Sequence, residues 1–231
     1  ALINNTSKED YFLTADHCFS GYDSQGNNQM DQMIFYWNYE SASCSNRGEI
    51  NPQTSRGAKL VANNAYSDFA LLKLIEPVRN IPDYFPYYLG WTRSTSRPIE
   101  GTVIHHPQGD IKKIAIDNNT LGDAINNTHW RATYDIGTTE GGSSGSPLLN
   151  QNKLIVGQLH SGGTGCNISD NYGRFDKSWD YGSTATRRLK NWLDSSSTGI
   201  MQMPGRGSSI LGDNYVCDNS IYRIENIASN M

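Results

Sequence analysis

The 231-residue chain predicts an all-β protein closed by one C-terminal helix, and three observations carry that expectation. The composition, with 22 Gly, 13 Tyr and 36% hydrophobic against 18% charged residues, suits short strands joined by tight turns. Its apolar runs are of strand length, rich in aromatic and β-branched residues, and bounded by turn formers. Helical periodicity occurs in one stretch alone, and no repeat of fixed period is present. The length allows one large β domain or two smaller ones, with enough chain to bury a core.

In chain order, Tyr11-Phe12-Leu13-Thr14, Met33 to Tyr39 (MIFYWNY) and Asp68 to Leu74 (DFALLKL) read as strands separated by turns. Gly101 to His105, Ile111 to Ile116 and Leu154 to His160 repeat the style in the second half. From Thr184 to Ser195, TATRRLKNWLDS places Leu189, Trp192 and Leu193 at helical spacing, with Arg187, Arg188 and Lys190 on other faces. Residues 1–198 therefore form the main domain. Residues 199–209, rich in Ser, Gly and Pro, have the composition of a linker, and 210–231 open a further strand-like segment too short to fold alone.

A formal charge of −4, from 19 basic and 23 acidic residues, supplies no basic stripe, so nucleic acid is not an expected partner. No apolar run approaches the about 20 residues that cross a bilayer, and ALINNTSKED is not a signal peptide, so any export signal is expected outside this sequence. Cys18, Cys44, Cys166 and Cys217 lie far apart, without the close pairs that zinc sites use. Simple arithmetic gives two disulfides of an exported protein, with three connectivities open. His105 and His106 are adjacent, so on a strand they face opposite ways and serve one metal ion poorly; they read as structural, and His129 has no assigned role.

Three motifs carry chemistry. Thr14-Ala15-Asp16-His17-Cys18 ends a strand with a histidine, which alone has an ordinary structural reading. Ser67-Asp68-Phe69-Ala70-Leu71-Leu72 sets a carboxylate at the mouth of an apolar run, where a turn residue is equally at home. Gly141-Gly142-Ser143-Ser144-Gly145-Ser146-Pro147 is the most specific, because glycines flanking a serine let backbone N–H groups converge on one point. Together, in the order His, Asp, Ser, they supply a general base, its orienting anion and an alkoxide precursor, the set that acyl transfer to water requires. Other folds thread the same trio in other orders.

TADHC, SDFALL and GGSSGSP resemble the signature motifs of the trypsin-like serine proteases over residues 1–198, and TTEGGSSGSPL, GQLHSGGTGC and DNYGR resemble the bacterial lysyl endopeptidases in particular. The resemblance implies two packed six-stranded antiparallel β-barrels, a secreted monomeric endopeptidase acting on proteins or peptides, and no cofactor or metal. It implies Ser144 as nucleophile, His17 as base, Asp68 as the anion that orients it, and the N–H groups of Gly142 and Ser144 as the oxyanion hole. Relatives in the wider clan carry Asp before the nucleophile, paired with a freshly cut N-terminus; here Ser143 stands there. The hole is therefore expected to be ordered by local hydrogen bonds.

Thr138 occupies the position where trypsin keeps its cation-binding aspartate, so that arrangement is missing. Matching Tyr172 to its family counterpart places Asp170 at the floor of the substrate pocket, with Gly162 on the wall, and implies cleavage after Lys, whose compact ammonium suits a single carboxylate. On the residues alone, Asp170 would be a solvated loop position. The family histidine matching His160 lies beside the triad and stacks on a tryptophan, for which Trp130 is the candidate. The same histidine raises a glutamyl-endopeptidase alternative, which an acidic floor would repel.

The family usually begins before ALINN and carries there the partners expected for Cys18, Cys44 and Cys166, so the resemblance supersedes the two-disulfide arithmetic. It implies a missing strand of the first barrel and an unpaired edge. VCDNSIYRI, with Cys217, resembles the start of a bacterial immunoglobulin-like module. A different class of function, a protease-derived binding module without activity, follows if that edge spoils the site.

Overall fold

The computed structural model describes residues 1–19, 29–41, 52–165 and 167–207, and the backbone of 209–211 and 223–225. Among the described residues, six strands lie in the first half: β1 (Leu2–Ile3), β2 (Tyr11–Ala15), β3 (Ile34–Trp37), β4 (Gln53–Arg56), β5 (Ala58–Asn64) and β6 (Phe69–Leu74). Four of them pair antiparallel in the order β1-β2-β6-β5, and β3 pairs with β4. β2 alternates as a strand between two packed faces should, sending Tyr11 and Leu13 one way and Phe12 the other. β6 has no such alternation, because both its faces are covered: Phe69 and Leu71 enter one cluster, and Ala70, Leu72 and Leu74 another.

The second half continues with β7 (Trp91–Thr92), β8 (Gly101–His105), β9 (Lys113–Asp117), β10 (Gly122–Ala124), β11 (His129–Thr133), β12 (Pro147–Leu149), β13 (Ile155–Ser161) and β14 (Ser169–Arg174). After β14 come α1 (Phe175–Asp180), α2 (Lys190–Leu193) and β15 (Gln202–Met203). The sheet order is β10-β11-β14-β13-β12-β8-β9, with β7 running parallel to β13 and β15 pairing with β7. The short strands β7, β10 and β15 thus extend a set of six, and the two-lobed all-β plan is the one observed.

A third cluster joins the halves: Ile3, Tyr11, Leu13 and Leu71 from the first meet Trp91, Ile155, Phe175, Trp179, Leu189 and Leu193 from the second. Two expectations change here. The single helix over 184–195 is two short turns, Ala185–Arg187 and α2, separated by an extended Arg188, although Leu189 and Leu193 are buried as their spacing required. The stretch 199–209 is no free linker: Gln202 and Met203 pair with Thr92 and Trp91, and the Arg206 guanidinium sits 4.0 Å over the Tyr88 ring. Of 210–231, Ser209–Leu211 pairs with Arg223–Glu225, and the rest of the expected module lies outside the described residues. Cys44, Cys166 and Cys217 also lie outside them, whereas Cys18 is an exposed free thiol.

Candidate active site

Sheet register brings His17 and Asp68 together. β2 and β6 are antiparallel with Ala15 opposite Phe69, so the residues just past the end of β2 lie beside those just before the start of β6. His17 sits in the 3-10 turn Asp16–Phe19, and the Asp16 N–H donates to the Asp68 carbonyl at 2.9 Å. Asp68 takes a left-handed backbone, φ 57°, which an aspartate tolerates better than most residues. Its carboxylate accepts the His17 backbone N–H at Oδ1 (2.8 Å) and faces His17 Nδ1 with Oδ2 (2.7 Å).

The third residue arrives from the other half. The loop before β12 carries Ser144, and it is clipped to β13 by Gly145 N–H to the Leu159 carbonyl and Leu159 N–H to the Ser146 carbonyl. Gly145, at φ 80°, lies so close to β2 that a Cβ there would stand 2.1 Å from Thr14 Oγ1. That approach puts Ser144 Oγ 2.8 Å from His17 Nε2. The line Asp68–His17–Ser144 is continuous: the anion fixes the proton on Nδ1, which leaves Nε2 as the acceptor for the serine hydroxyl.

Beside Ser144 the turn leaves two backbone donors. Among the described residues, no internal acceptor takes the N–H of Gly142 or of Ser144. Ser143, in contrast, is entirely buried, its N–H donating to the Glu140 carbonyl at 3.0 Å. Its Oγ lies 2.8 Å from Nδ1 of His105, and accepts the Glu140 N–H at 3.3 Å.

A cavity of about 220 Å³ opens next to Ser144, walled by residues such as Thr139, Glu140, His160, Gly162 and Gly163. Asp170, on β14, stands one layer behind this wall and is 1% exposed, which removes its reading as a solvated loop residue. Its Oδ2 accepts the hydroxyls of Tyr134 (2.8 Å) and Thr139, and Tyr134 contacts the Tyr172 hydroxyl in turn. Burial raises the Asp170 pKa, and those two hydroxyl bonds pull the other way. Oδ1 points at Gly162, where a Cβ would fall 1.7 Å away, so only glycine leaves this carboxylate a route to the cavity. Thr138 is bound elsewhere, to the Gly165 carbonyl at 3.0 Å; its neighbour Thr139 is the one that meets Asp170.

His160 lies next to the triad, with Nε2 4.0 Å from Asp68 Oδ2 and its ring 5.8 Å from that of His17. Its stacking partner is not Trp130. Adjacent residues of a strand face opposite ways, so β11 turns Trp130 into the core, under the Arg174 guanidinium at 3.8 Å, and turns His129 toward His160. The His129 and His160 rings lie 4.8 Å apart, with His129 Nε2 2.9 Å from His160 Nδ1. Thr128 Oγ1 donates to the Ile125 carbonyl and so accepts from Nδ1 of His129, whose pKa burial lowers to about 4. A neutral His129 with its proton on Nδ1 accepts at Nε2 a hydrogen bond from the Nδ1–H of His160, while Nε2 of His160 faces Asp68. Sequence reasoning missed His129, Thr139 and Tyr134; Thr139 lies inside TTEGGSSGSP, the other two shortly before it, and nothing in their spacing marked a role.

His17, Asp68 and His160 are the one group of three metal-type ligands clustered among the described residues; His17 and Asp68 are engaged in the hydrogen-bonded line, and His160 bonds His129.

Residues 1–178 match the family described as "Lysyl endopeptidase, C-terminal domain". Among solved structures, Rv3671c from M. tuberculosis H37Rv in an inactive form shares 14% identity, with 75% of this chain and 73% of that one covered and a TM-score of 0.41. The thermostable serine protease AL20 from an extremophilic microorganism shares 12% identity over 75% of this chain and 82% of its own, with a TM-score of 0.49.

Proposed function

The chain belongs to the family of lysyl endopeptidase C-terminal domains, and from that premise we propose that it is a secreted serine endopeptidase that cleaves peptide bonds after Lys. The observation that carries the reading is the unbroken line from Asp68 Oδ2 through the His17 ring to Ser144 Oγ, in steps of 2.7 and 2.8 Å, at the mouth of a cavity backed by a buried carboxylate.

Ser144 Oγ attacks the carbonyl carbon of the scissile bond while its proton passes to His17 Nε2. The carbonyl oxygen becomes an anion held by the N–H groups of Gly142 and Ser144, each worth about 3 to 4 kcal/mol of barrier in comparable sites. Collapse breaks the C–N bond, and His17 returns the proton to the leaving amine. Water then attacks the acyl-enzyme, with His17 as base, and releases the acid. Asp68 stays ionised throughout and steadies the imidazolium.

The substrate ammonium reaches Asp170 past Gly162. Tyr134 and Thr139 hold Oδ2, which leaves Oδ1 for a point charge, a geometry that suits Lys better than the fork of Arg. The glutamyl alternative fits less well, because His160 already spends Nδ1 on His129 and turns Nε2 to Asp68. Profiling cleavage of a peptide library by the wild type and by Asp170→Asn tests the assignment. The expected result is loss of kcat/KM for Lys by about 100-fold or more, with the residual activity no longer favouring cations. An unchanged Lys preference would remove Asp170 from the role.

A further inference from the structure

Resting on the reading of Ser144 as the nucleophile, we propose that His105 and Ser143 are positioning residues that brace the oxyanion turn from inside the second lobe. The turn over 140–144 must present two N–H groups on one side, and its weak point is the peptide between Gly141 and Gly142. Rotating that peptide would put a carbonyl oxygen where the anion must sit, and glycine at both positions makes the rotation easy. Four hydrogen bonds oppose it. The Gln108 N–H donates to the Gly141 carbonyl at 2.7 Å, and because C=O and N–H point opposite ways across a trans peptide, this directs the Gly142 N–H to the far side. The Ser143 N–H closes the turn on the Glu140 carbonyl at 3.0 Å, and the Ser143 carbonyl accepts the Ser146 hydroxyl at 2.6 Å. The fourth is the 2.8 Å contact between His105 Nδ1 and Ser143 Oγ.

His105 ends β8, and Gln108 lies in the 3-10 turn Pro107–Gly109 that follows, held at φ 51°. One short segment therefore grips the turn on both sides of Gly142: by the carbonyl before it and the side chain after it. The His105–Ser143 contact is fully dry, with His105 1% exposed and Ser143 0%, so neither water nor salt competes for it. Among the described residues His105 Nε2 is buried without a partner, which an apolar side chain at this position would avoid. An imidazole kept there at that cost points to the Nδ1 contact as its purpose. Burial, helped by His106 and Lys113, lowers the His105 pKa to about 4, so the brace stays neutral at neutral pH.

A brace of this kind acts on the transition state more than on substrate binding. Ser143→Ala and His105→Leu are expected to lower kcat by about 10- to 100-fold, below the full loss of one oxyanion donor, while KM moves by less than about 3-fold. Affinity for a peptide aldehyde ending in Lys, whose adduct with Ser144 carries the tetrahedral oxygen, should fall in step with kcat/KM. His105→Asn, which keeps a hydrogen-bonding atom near the position of Nδ1, should recover most of both. Thermal unfolding of each variant identifies any that has lost the fold, and Ser143→Ala removes only a hydroxyl. Wild-type kcat and aldehyde affinity in folded Ser143→Ala overturn the brace while leaving the protease reading intact. Loss of kcat/KM with unchanged aldehyde affinity does the same, whereas a wild type with no turnover dependent on Ser144 overturns both.

Discussion

His105 and His129 are each 1% exposed, and burial lowers the pKa of both to about 4. A base whose folded-state pKa lies below its unfolded value of 6.5 weakens the fold as acid is added. Above pH 6.5 both states are neutral and the full stability is present; between 6.5 and about 4 the unfolded chain binds the proton first, and stability is lost. The shift amounts to about 3 kcal/mol for one such residue. Denaturant unfolding measured from pH 7 to pH 4 should therefore show a falling stability that His129→Gln makes shallower, and an equal slope in that variant would contradict the burial argument. The residues of the acyl-transfer line were legible in the sequence because each sits in a motif with its own chemistry. Those that support them were not, since Tyr134 meets Asp170 only where β11 pairs with β14, Thr139 reaches the same carboxylate from the loop before Ser144, and His129 meets His160 on β13.

At the scale of elements, the turns after α1 belong to the core that joins the two halves. Leu189 is fully buried against Trp179 and the first-half strands, and β15 closes over β7 beside it. Leu189→Ala should cost about 2 to 5 kcal/mol, the range for a leucine removed from a packed core, and should lower the unfolding midpoint of the whole chain in one transition. A cost under about 1 kcal/mol would mean that α2 is a surface appendage. Strands with aromatic and β-branched runs, such as β2, β3, β6 and β13, were readable from pattern, with ends shifted by one or two residues. β11 and β14 were not, because HWRAT and SDNYGR turn histidine, aspartate and tyrosine inward to serve the site, which breaks the apolar signal. The helical spacing of Leu189, Trp192 and Leu193 named the buried positions correctly but not the break at Arg188, where the Leu189 N–H leaves the helix to bond the Ser178 carbonyl.

For the whole molecule, the account rests on two halves meeting so closely that segments 14–18, 67–72 and 141–147 share one line of hydrogen bonds. Gly145 against β2, Gln158 donating to the Ser67 carbonyl at 2.7 Å, and the shared core beneath them hold that meeting point. Sequence order announced the trio; the antiparallel register of β2 with β6 and the clip of the Ser144 loop to β13 assemble it. The most direct measurement is reaction of the intact chain with a fluorophosphonate, followed by mass-spectrometric location of the adduct. One equivalent on Ser144 is the predicted result, with loss of labelling in Ser144→Ala and slowing by about 1,000-fold or more in His17→Ala. No adduct, or an adduct on Ser143 or Ser146 in a chain that remains folded, would contradict the account.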